Sequence, residues 1–301
     1  VERIVETFKR TLDRDITEIV YILGPDFGED IKEPLREMSK RHNAKALFEV
    51  QAEALGTAHA VAMAKEHLDG EVIIAFADTI FDSEEPFDLG DADSVIWLKK
   101  VEDPSRFGVA VHEGDTITGF VEKPKEFISD LAIIGVYYFK DGNYFKKQIE
   151  WVLDNDMKGP GGEYFLTAAL DKMIKDGKIF KTATVDEWLD CGTLPAWLET
   201  TGIITEKEFN GVDESKYPGS TIIPPVFIGE GVKIENSTVG PKVCIEENTT
   251  IRNSKVENTI IRDNAEIQDS EIAGSTIGAF TNLNNVKGKV DVGDHSSLNI
   301  E

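Results

Sequence analysis

Apolar and polar positions along the first part of the chain predict helices and strands in turn. An apolar stripe with helical spacing opens the chain at Val1, Ile4, Val5, Phe8 and Leu12. Continuous apolar runs at 19–23 and within 45–50 predict strands, and helices are predicted over about 30–41 and 57–68. Together with the strand that follows, this order predicts an α/β domain with a Rossmann-like mixed, mainly parallel sheet.

The pattern becomes richer in strands after residue 90. Strands are predicted at 94–101, 106–113, 116–123, 132–139 and 179–185, with helices at about 143–155 and 163–176. Glu113, Gly114 and Asp115 have the composition of a hairpin turn between two of these strands. A further helix begins near Leu194, and the first domain, residues 1–207, ends after it.

Beyond a linker at 208–219, aliphatic residues recur every five or six positions. They are Ile228, Ile234, Val239, Ile245, Ile251, Val256, Ile261, Ile267, Ile272 and Ile277, with small and polar residues between them. A helix cannot use a six-residue period, whereas stacked coils that each point one aliphatic side chain inward can. The pattern predicts a left-handed parallel β-helix over 220–301.

The stretch Glu71–Phe81 joins an apolar strand to a single carboxylate. The run at 72–76 is of the kind buried in parallel sheets, and it breaks at Asp78. At the carboxyl end of such a strand, an acid faces the crevice where open α/β sheets bind ligands. Alternatively, Asp78 caps the following turn or helix. The stretch alone leaves both interpretations open.

Charge and cysteine content narrow the possible partners. The 301 residues include 56 Asp and Glu against 32 Lys and Arg, so the formal net charge is −24. Such a chain repels nucleic acid and anionic membranes, and a phosphate substrate would require local cations, hence a metal. Cys191 and Cys244 form neither a disulfide framework nor a metal-ligand spacing. We therefore expect a cytoplasmic protein without a signal peptide or membrane span.

Five short segments between Gln51 and Thr193 follow one another in a recognisable order. They read QAEALGTAHAV, FADTIF, DPSRFGV, FVEKPK and EWLDCGT. In this order they resemble the base-recognition, metal-aspartate, DP-x-x-[YF]-G-V, EKP and W-x-D-x-G-T segments of the sugar-phosphate nucleotidylyltransferases, which make nucleotide sugars. One segment alone means little, but five in order are highly specific. A hexapeptide β-helix after such a domain is also common in the family.

The resemblance implies a segment that these residues do not contain. The family carries a Gly-rich loop with an Arg, followed by a Lys, which together bind the triphosphate. The helix at Val1 matches the helix that normally follows this loop, so we expect the first strand and the loop to be missing through truncation or disorder. A protein truly starting at Val1 is expected to be inactive and poorly folded. A smaller departure is Ala77 where the family usually has Gly.

The resemblance assigns a metal site to two aspartates on distant strands. Asp78 and Asp190 would hold Mg²⁺, which prefers a few carboxylates together with phosphate oxygens and water. On its own, Asp190 could instead cap the following helix through Gly192 and Thr193.

The resemblance also assigns the sugar phosphate side. Lys123 would contact the sugar 1-phosphate, since a point cation suits a phosphate dianion. Glu122 and Glu163 would accept hydrogen bonds from sugar hydroxyls, and Gly108 would let the backbone approach the sugar. The plain alternatives are a surface lysine for Lys123, a strand-end acid for Glu122, a helix first-turn acid for Glu163 and an ordinary strand glycine for Gly108. Ala168 departs from an Asp common in the family.

The base-recognition segment would supply Gln51, Gly56 and Thr57. A glutamine amide offers both the donor and the acceptor that a pyrimidine imide edge needs. The GTAHA form resembles uridylyl- and thymidylyltransferases more than guanylyltransferases. His59 is expected to be structural and Cys191 a packed small residue. The chain shows no Ser/His/Asp or Cys/His arrangement for a covalent intermediate.

The sequence therefore predicts an enzyme that transfers a nucleotidyl group from a nucleoside triphosphate, with UTP or dTTP favoured, to a sugar 1-phosphate. The alternative is a non-catalytic regulatory or scaffold homologue that kept the fold and the β-helix. Acyltransferase activity in the β-helix is disfavoured because His295 is the one histidine after Ser220. Exposed strand edges of the β-helix predict a homo-oligomer built partly through residues 220–301.

Overall fold

The computed structural model describes residues 1–84, 86–114 and 116–300, and these fall into two compact units. The first unit is Val1–Trp188 and the second begins at Leu189. The helix at Leu194 therefore belongs with the second unit, whereas the sequence placed the end of the first domain near Lys207. Among the described residues, no helix is long and apolar enough to cross a membrane.

The helices of the first unit lie close to their predicted positions. The α-helices are α1 Glu2–Thr11, α2 Glu29–Arg41, α3 Thr57–Met63, α4 Gly142–Asp154 and α5 Leu166–Lys175, with 3₁₀ turns at Lys65–His67 and Pro160–Gly162. The helix α4 begins where the Asp141 side chain accepts the Tyr144 N–H at 3.0 Å. The helix α5 begins at Leu166, so Glu163 precedes it and is not the first-turn acid of the plain alternative.

Most strands of the first unit form one six-stranded mixed sheet. The strands are β1 Glu18–Leu23, β2 Lys45–Val50, β3 Val72–Ala75, β4 Thr79–Asp82, β5 Ser94–Lys100, β6 Gly108–Glu113, β7 Thr116–Glu122, β8 Leu131–Phe139, β9 Phe180–Thr184 and β10 Glu187–Asp190. The six-stranded order is β3-β8-β5-β9-β7-β6, and β1 pairs with β2 in a separate parallel ladder. The division between the two units falls inside β10.

The predicted α/β class with a mixed sheet is confirmed, but parallel pairing is scarcer than expected. Within the six-stranded sheet, β5 and β9 run parallel, whereas β8 runs antiparallel to both β3 and β5. The hairpin β6–β7 adds a further antiparallel pair. Gly114 lies in the turn of this hairpin, as predicted, while Asp115 lies outside the described residues.

The strand β3 corrects one prediction. It pairs with β8 at the edge of the sheet, and all four of its residues are only half-buried, whereas the apolar run predicted a fully buried parallel strand. An edge strand has a packed neighbour on one side only, so an apolar run there keeps part of its surface exposed. The predicted break at Asp78 is confirmed, because a turn separates β3 from β4.

The sheet is covered by helices on both faces. On β5, Ile96 and Leu98 belong to the core cluster that includes α3, α4 and α5, and Val95 and Trp97 belong to the cluster that includes α1. This period of two with both faces buried is what a central strand requires. Each fully buried Ile or Leu contributes about 1.5–3 kcal/mol.

The second unit is a parallel β-helix preceded by the helix α6, Leu194–Glu208. Its strands are β11 Thr221–Ile222, β12 Val226–Ile228, β13 Lys233–Glu235, β14 Thr238–Val239, β15 Val243–Ile245, β16 Thr250–Arg252, β17 Lys255–Ile261, β18 Glu266–Gln268, β19 Glu271–Ile277, β20 Asn282–Asn284, β21 Lys287–Gly288, β22 Asp291–Val292 and β23 Ser297–Asn299. A short 3₁₀ turn, Glu214–Lys216, precedes them.

Stacked aliphatic side chains form the core of this β-helix, as the hexapeptide period predicted. Ile234 pairs with Ile251, Ile251 with Ile267, and Ile267 with Leu283, all in parallel register. All four are buried. The repeat matches coils that each add one layer to a continuous core.

The outward row of one β-helix face is apolar and is covered within the same unit. Phe227, Cys244 and Ile260 lie in neighbouring strands on this face, and α6 packs against β12, β15 and β17. Burial raises the pKa of the Cys244 thiol to about 11. Cys244 is therefore a packed side chain and not a reactive thiolate.

Candidate functional site

The predicted base-reading residues lie at the carboxyl ends of β1 and β2. The Gln51 N–H donates to the Leu23 carbonyl oxygen at 2.8 Å, which ties the residue after β2 to the end of β1. The Gln51 Nε2 donates to the Gly56 carbonyl at 3.2 Å and lies 3.1 Å from His59 Nδ1. His59 thus supports Gln51, which is consistent with its expected structural role.

Position 56 requires glycine for two reasons, its backbone conformation and the closeness of neighbouring atoms. Its φ of +108° lies in the region that favours glycine. A Cβ atom there would lie 2.6 Å from the Tyr164 carbonyl oxygen, 2.7 Å from the Tyr164 nitrogen and 3.0 Å from Glu163 Cβ. The backbone of Gly56 therefore lies directly against the segment that carries Glu163.

Three hydrogen bonds fasten the base-reading segment to the segment before α5. The Tyr164 N–H donates to the Leu55 carbonyl at 2.8 Å, and the Ala58 N–H donates to the Tyr164 carbonyl at 2.8 Å. The Leu166 N–H donates to Thr57 Oγ1 at 3.0 Å. These bonds bring Thr57 and Gly56 beside Glu163, although more than 100 residues separate them in the sequence.

Glu122, Gly108 and Thr167 form the second half of the site. Thr167 Oγ1 donates to Glu122 Oε2 at 3.1 Å, and a Cβ at Gly108 would lie 3.0 Å from the same oxygen. Glu122 is paired with Gly108 in the β6–β7 hairpin. Gly108 is thus more than an ordinary strand glycine, because a side chain there would displace the carboxylate.

The burial of Glu122 and the charges around it distinguish it from an exposed strand-end acid. Burial raises the pKa of its carboxyl, and the nearby Glu163 carboxylate raises it further. The Thr167 hydroxyl and the Lys123 ammonium both lower the pKa of Glu122. Lys123 and Glu163 are therefore both close enough to influence Glu122.

The ammonium group of Lys123 lies close enough to Glu122 to influence that carboxylate. Its backbone has φ +44° and its N–H donates to the Phe107 carbonyl at 3.0 Å. Its Nζ lies 4.9 Å from the centre of the buried Phe165 ring, a cation–π contact. In the described part of the chain, no carboxylate comes within ion-pairing distance of this Nζ. The ammonium is held over an aromatic ring and stays available to an anion.

Three residues of this site were missed by sequence reasoning. Thr167 contacts Glu122, Phe165 supports Lys123, and the buried Tyr137 phenol is close enough to Glu122 for that carboxylate to raise its pKa. Thr167 and Phe165 flank the start of α5, so the EYFLT segment that begins at Glu163 already contained both residues beside a predicted site residue. From the sequence alone, Tyr137 is indistinguishable from other buried residues of its strand.

Asp78 lies in the exposed turn between β3 and β4, and the next residue is anchored. Thr79 Oγ1 donates to the Ile134 carbonyl at 2.7 Å and accepts the Trp188 indole N–H at 3.2 Å. Trp188 also packs edge-on against Phe107, with ring centres 5.1 Å apart. The turn that carries Asp78 is therefore held by a buried threonine.

Asp190 belongs to the second unit and is the last residue of β10, directly before a turn. Its Oδ1 accepts the Gly192 N–H at 2.8 Å, and its carbonyl accepts from Thr200 Oγ1 at 2.7 Å. The N-cap of α6 is Thr193, whose Oγ1 accepts the Ala196 N–H at 3.3 Å. Asp190 therefore orders the turn before the helix, while Thr193 caps the helix itself.

Two sets of side chains in the described residues offer donors to a metal ion, and in one of them an arginine already pairs with a carboxylate. Asp78 and Asp190 each offer carboxylate oxygens, the hard donors that suit Mg²⁺. Within the described ranges, three metal-ligating side chains also converge to within 4.8 Å at Glu2, Glu6 and His42. There Arg41 already pairs with Glu2 at 2.8 Å, so an arginine engages a carboxylate that a cation would need.

Comparison with known proteins gives a consistent family match. Residues 2–207 match the family model described as nucleotidyl transferase. The chain is 31% identical over 217 residues to a low-salt glycan biosynthesis nucleotidyltransferase, Agl11, of Haloferax volcanii, which covers 68% of this chain and 57% of that protein. It thus spans little more than half the length of that relative.

Two further similarities point the same way. The chain is 27% identical over 288 residues to a glucose-1-phosphate thymidylyltransferase of Streptomyces antibioticus, covering 91% of this chain and 79% of that protein. A solved UDP-glucose pyrophosphorylase in complex with UDP-glucose superposes with a TM-score of 0.55 at 19% identity, covering 69% of this chain and 86% of the other. At that identity, the structural likeness speaks for the fold.

Proposed function

We propose that this chain, which belongs to the nucleotidyl transferase family, transfers a nucleotidyl group from a nucleoside triphosphate to a sugar 1-phosphate and releases pyrophosphate. UTP and dTTP are the favoured donors. One observation carries the proposal: the Gln51–Thr57 segment is hydrogen-bonded to the segment before α5, beside the cluster of Glu122, Lys123 and Glu163. The amide proposed to read the base therefore lies on a segment fastened beside a cluster of charged residues of both signs.

The proposed division of roles follows the chemistry of each group. The Gln51 amide and the backbone at Gly56 and Thr57 face the base edge, since an amide can both donate and accept. The carboxylates of Glu122 and Glu163 accept hydrogen bonds from sugar hydroxyls.

The phosphate side of the reaction requires positive charge. Lys123 binds the sugar phosphate, because its ammonium is held over Phe165 without a carboxylate partner among the described residues. Gly108 carries no Cβ that would displace the Glu122 carboxylate, and its backbone approaches the sugar. Asp78 and Asp190 would hold Mg²⁺, which when bound supplies positive charge to the phosphate oxygens.

The proposed reaction places few chemical demands on the side chains. A phosphate oxygen of the sugar 1-phosphate attacks the α-phosphorus in line and pyrophosphate departs. The nucleophile is already ionised, so the protein needs no general base. Its side chains orient the two substrates and neutralise charge, which is how phosphoryl-type transfers are mostly catalysed.

Pyrophosphate release tests this proposal against the non-catalytic alternative. Full-length protein is incubated with each nucleoside triphosphate and a panel of sugar 1-phosphates, with and without Mg²⁺. We expect release that requires both substrates and Mg²⁺ and is strongest with UTP or dTTP. A folded protein that releases none with any pair would support a regulatory or scaffold role.

We also propose the domain assignment from the sequence: a nucleotidyltransferase region at 1–207, a linker at 208–219 and the β-helix at 220–301, in a cytoplasmic protein. The family model matches 2–207, which supports the first boundary. The second compact unit of the structure begins at Leu189, however, so α6 lies in that unit.

The β-helix is expected to support a homo-oligomer. The edge strands β11 and β23 end its parallel ladders, and stacked coils with open edges commonly pack between subunits. Light scattering at micromolar concentration should therefore give a mass of at least two chains. A mass of one chain across that range would contradict the prediction.

A further inference from the structure

The hydroxyl group of Thr167 contacts Glu122, the acid proposed to bind the sugar. Thr167 Oγ1 donates to Glu122 Oε2 at 3.1 Å, and Thr167 is only 8% exposed. The same oxygen lies beside Gly108, where a Cβ would come within 3.0 Å of it. The glycine leaves room for the carboxylate, and the threonine determines where in that space one oxygen lies.

Thr167 is itself held in place. It lies in the first turn of α5, next to Leu166, whose N–H donates to Thr57 Oγ1 at 3.0 Å. The methyl group of Thr167 would lie 3.3 Å from a Cβ at Gly108, so it fills the space against β6. Because both its backbone and its methyl group are packed, the hydroxyl has a fixed direction.

The groups around Glu122 have opposite effects on the pKa of its carboxyl. Burial, and to a smaller extent Glu163, favour the neutral acid, whereas Lys123 favours the carboxylate. Tyr137, from β8, is buried close by and stays neutral, because burial and the Glu122 charge both raise its pKa. The net effect of these surroundings raises the pKa of Glu122, and the hydrogen bond from the Thr167 hydroxyl is the largest of the contributions that oppose this rise and favour the carboxylate.

We propose that Thr167 is a positioning residue for nucleotidyl transfer, which holds Glu122 as an ionised acceptor aimed at a hydroxyl of the sugar 1-phosphate. The inference rests on the proposed function. A carboxylate can accept from a hydroxyl with either oxygen, whereas a protonated carboxyl has lost much of that capacity. Without Thr167, Glu122 protonates more easily and one of its oxygens loses its anchor.

The test compares Thr167→Val, which keeps the shape and removes the donor, with Thr167→Ser, which keeps the donor. Thr7→Val is the matched control, because Thr7 is buried and donates to the Phe81 carbonyl at 3.2 Å, outside the pocket. The titration of Glu122 is followed by NMR of ¹³C-labelled glutamate carboxyls, with Glu122→Gln identifying the resonance. Kinetics with the sugar 1-phosphate are measured across pH on the same proteins.

For Thr167→Val we expect the Glu122 titration to move to higher pH, because the hydrogen bond that favours the carboxylate is lost. In the pH profile of kcat/KM for the sugar 1-phosphate, the acid limb should move to higher pH by the same amount. At neutral pH, KM for the sugar 1-phosphate should rise about 10-fold while KM for the nucleotide stays nearly constant, since one charge-assisted hydrogen bond is lost. Thr167→Ser should restore most of each value, and Thr7→Val should change none of them.

Two results separate this inference from the proposed function. An unmoved Glu122 titration in Thr167→Val overturns the positioning role, whatever the activity. A moved titration in a protein that makes no nucleotide sugar overturns the proposed function and leaves the contact between the two side chains standing. If Thr167→Val does not fold, Thr167→Ala provides the same titration, and the same unmoved resonance overturns the inference.

Discussion

Full-length protein with Asp78→Asn is expected to lose about 100- to 1,000-fold in kcat, the range found when one charged or polar stabiliser is removed from such a site. Asparagine keeps the size of aspartate but loses its charge, so it is a much poorer Mg²⁺ ligand. Asp78 lies in an exposed turn, hence the fold should survive. Activity at increasing Mg²⁺ and the melting temperature are the measurements.

Asp190→Asn should behave in the same way. The Asp190 oxygen accepts the Gly192 N–H, and an asparagine oxygen can accept the same bond, so the turn is preserved. Asp82→Asn and Asp186→Asn are the matched controls. Asp82 pairs with Arg10, and Asp186 accepts the Glu84 N–H at 2.8 Å. The controls should stay within a few-fold of the parent, and near-normal turnover in either Asp78→Asn or Asp190→Asn would refute the metal assignment.

Gly56→Ala is expected to abolish nucleotide use and to destabilise the protein strongly. Residues forced into conformations reserved for glycine cost about 1–3 kcal/mol. The added methyl group would in addition lie 2.6 Å from the Tyr164 carbonyl oxygen, and main chain cannot move aside as a flexible side chain can. The segment before α5 must therefore shift, and Glu163 with it.

Gly161→Ala provides the matched control for that substitution. Gly161 also has a positive φ, +75°, but a Cβ there would meet nothing within 4 Å. It should cost about 1–2 kcal/mol, the backbone penalty alone. Denaturant unfolding and the KM for the nucleotide check both variants. Equal losses of stability in the two would show that the close approach to Tyr164 contributes nothing.

Local patterns predicted most elements because the determinants of those elements are local. The stripe containing Ile4 and Phe8 predicted α1, and the spacing from Ile234 onward predicted stacked coils with Ile251 and Ile267 in register. Hydrophobic period alone specifies both. The burial of β3 was not predictable in this way, because an apolar run does not reveal whether a strand lies at an edge.

The candidate site was predictable as a set of residues but not as a set of contacts. Family segments pointed to Glu122 and Gly56, yet nothing local links Gly56 to Tyr164, or Glu122 to Thr167, 45 residues later. Such contacts arise from where α5 packs against the sheet. The start of α5 moved Glu163 from a predicted helical turn to the extended residues before it, where it lies against Gly56.

Isotope tracing tests nucleotidyl transfer most directly. Full-length protein with Mg²⁺ and UTP or dTTP is given a sugar 1-phosphate whose non-bridging phosphate oxygens carry ¹⁸O, and the products are weighed by mass spectrometry. Attack by the sugar phosphate on the α-phosphorus predicts a nucleotide sugar that retains all of the label and pyrophosphate that carries none. Labelled pyrophosphate, or the absence of any nucleotide sugar from a folded protein, would contradict the proposed function.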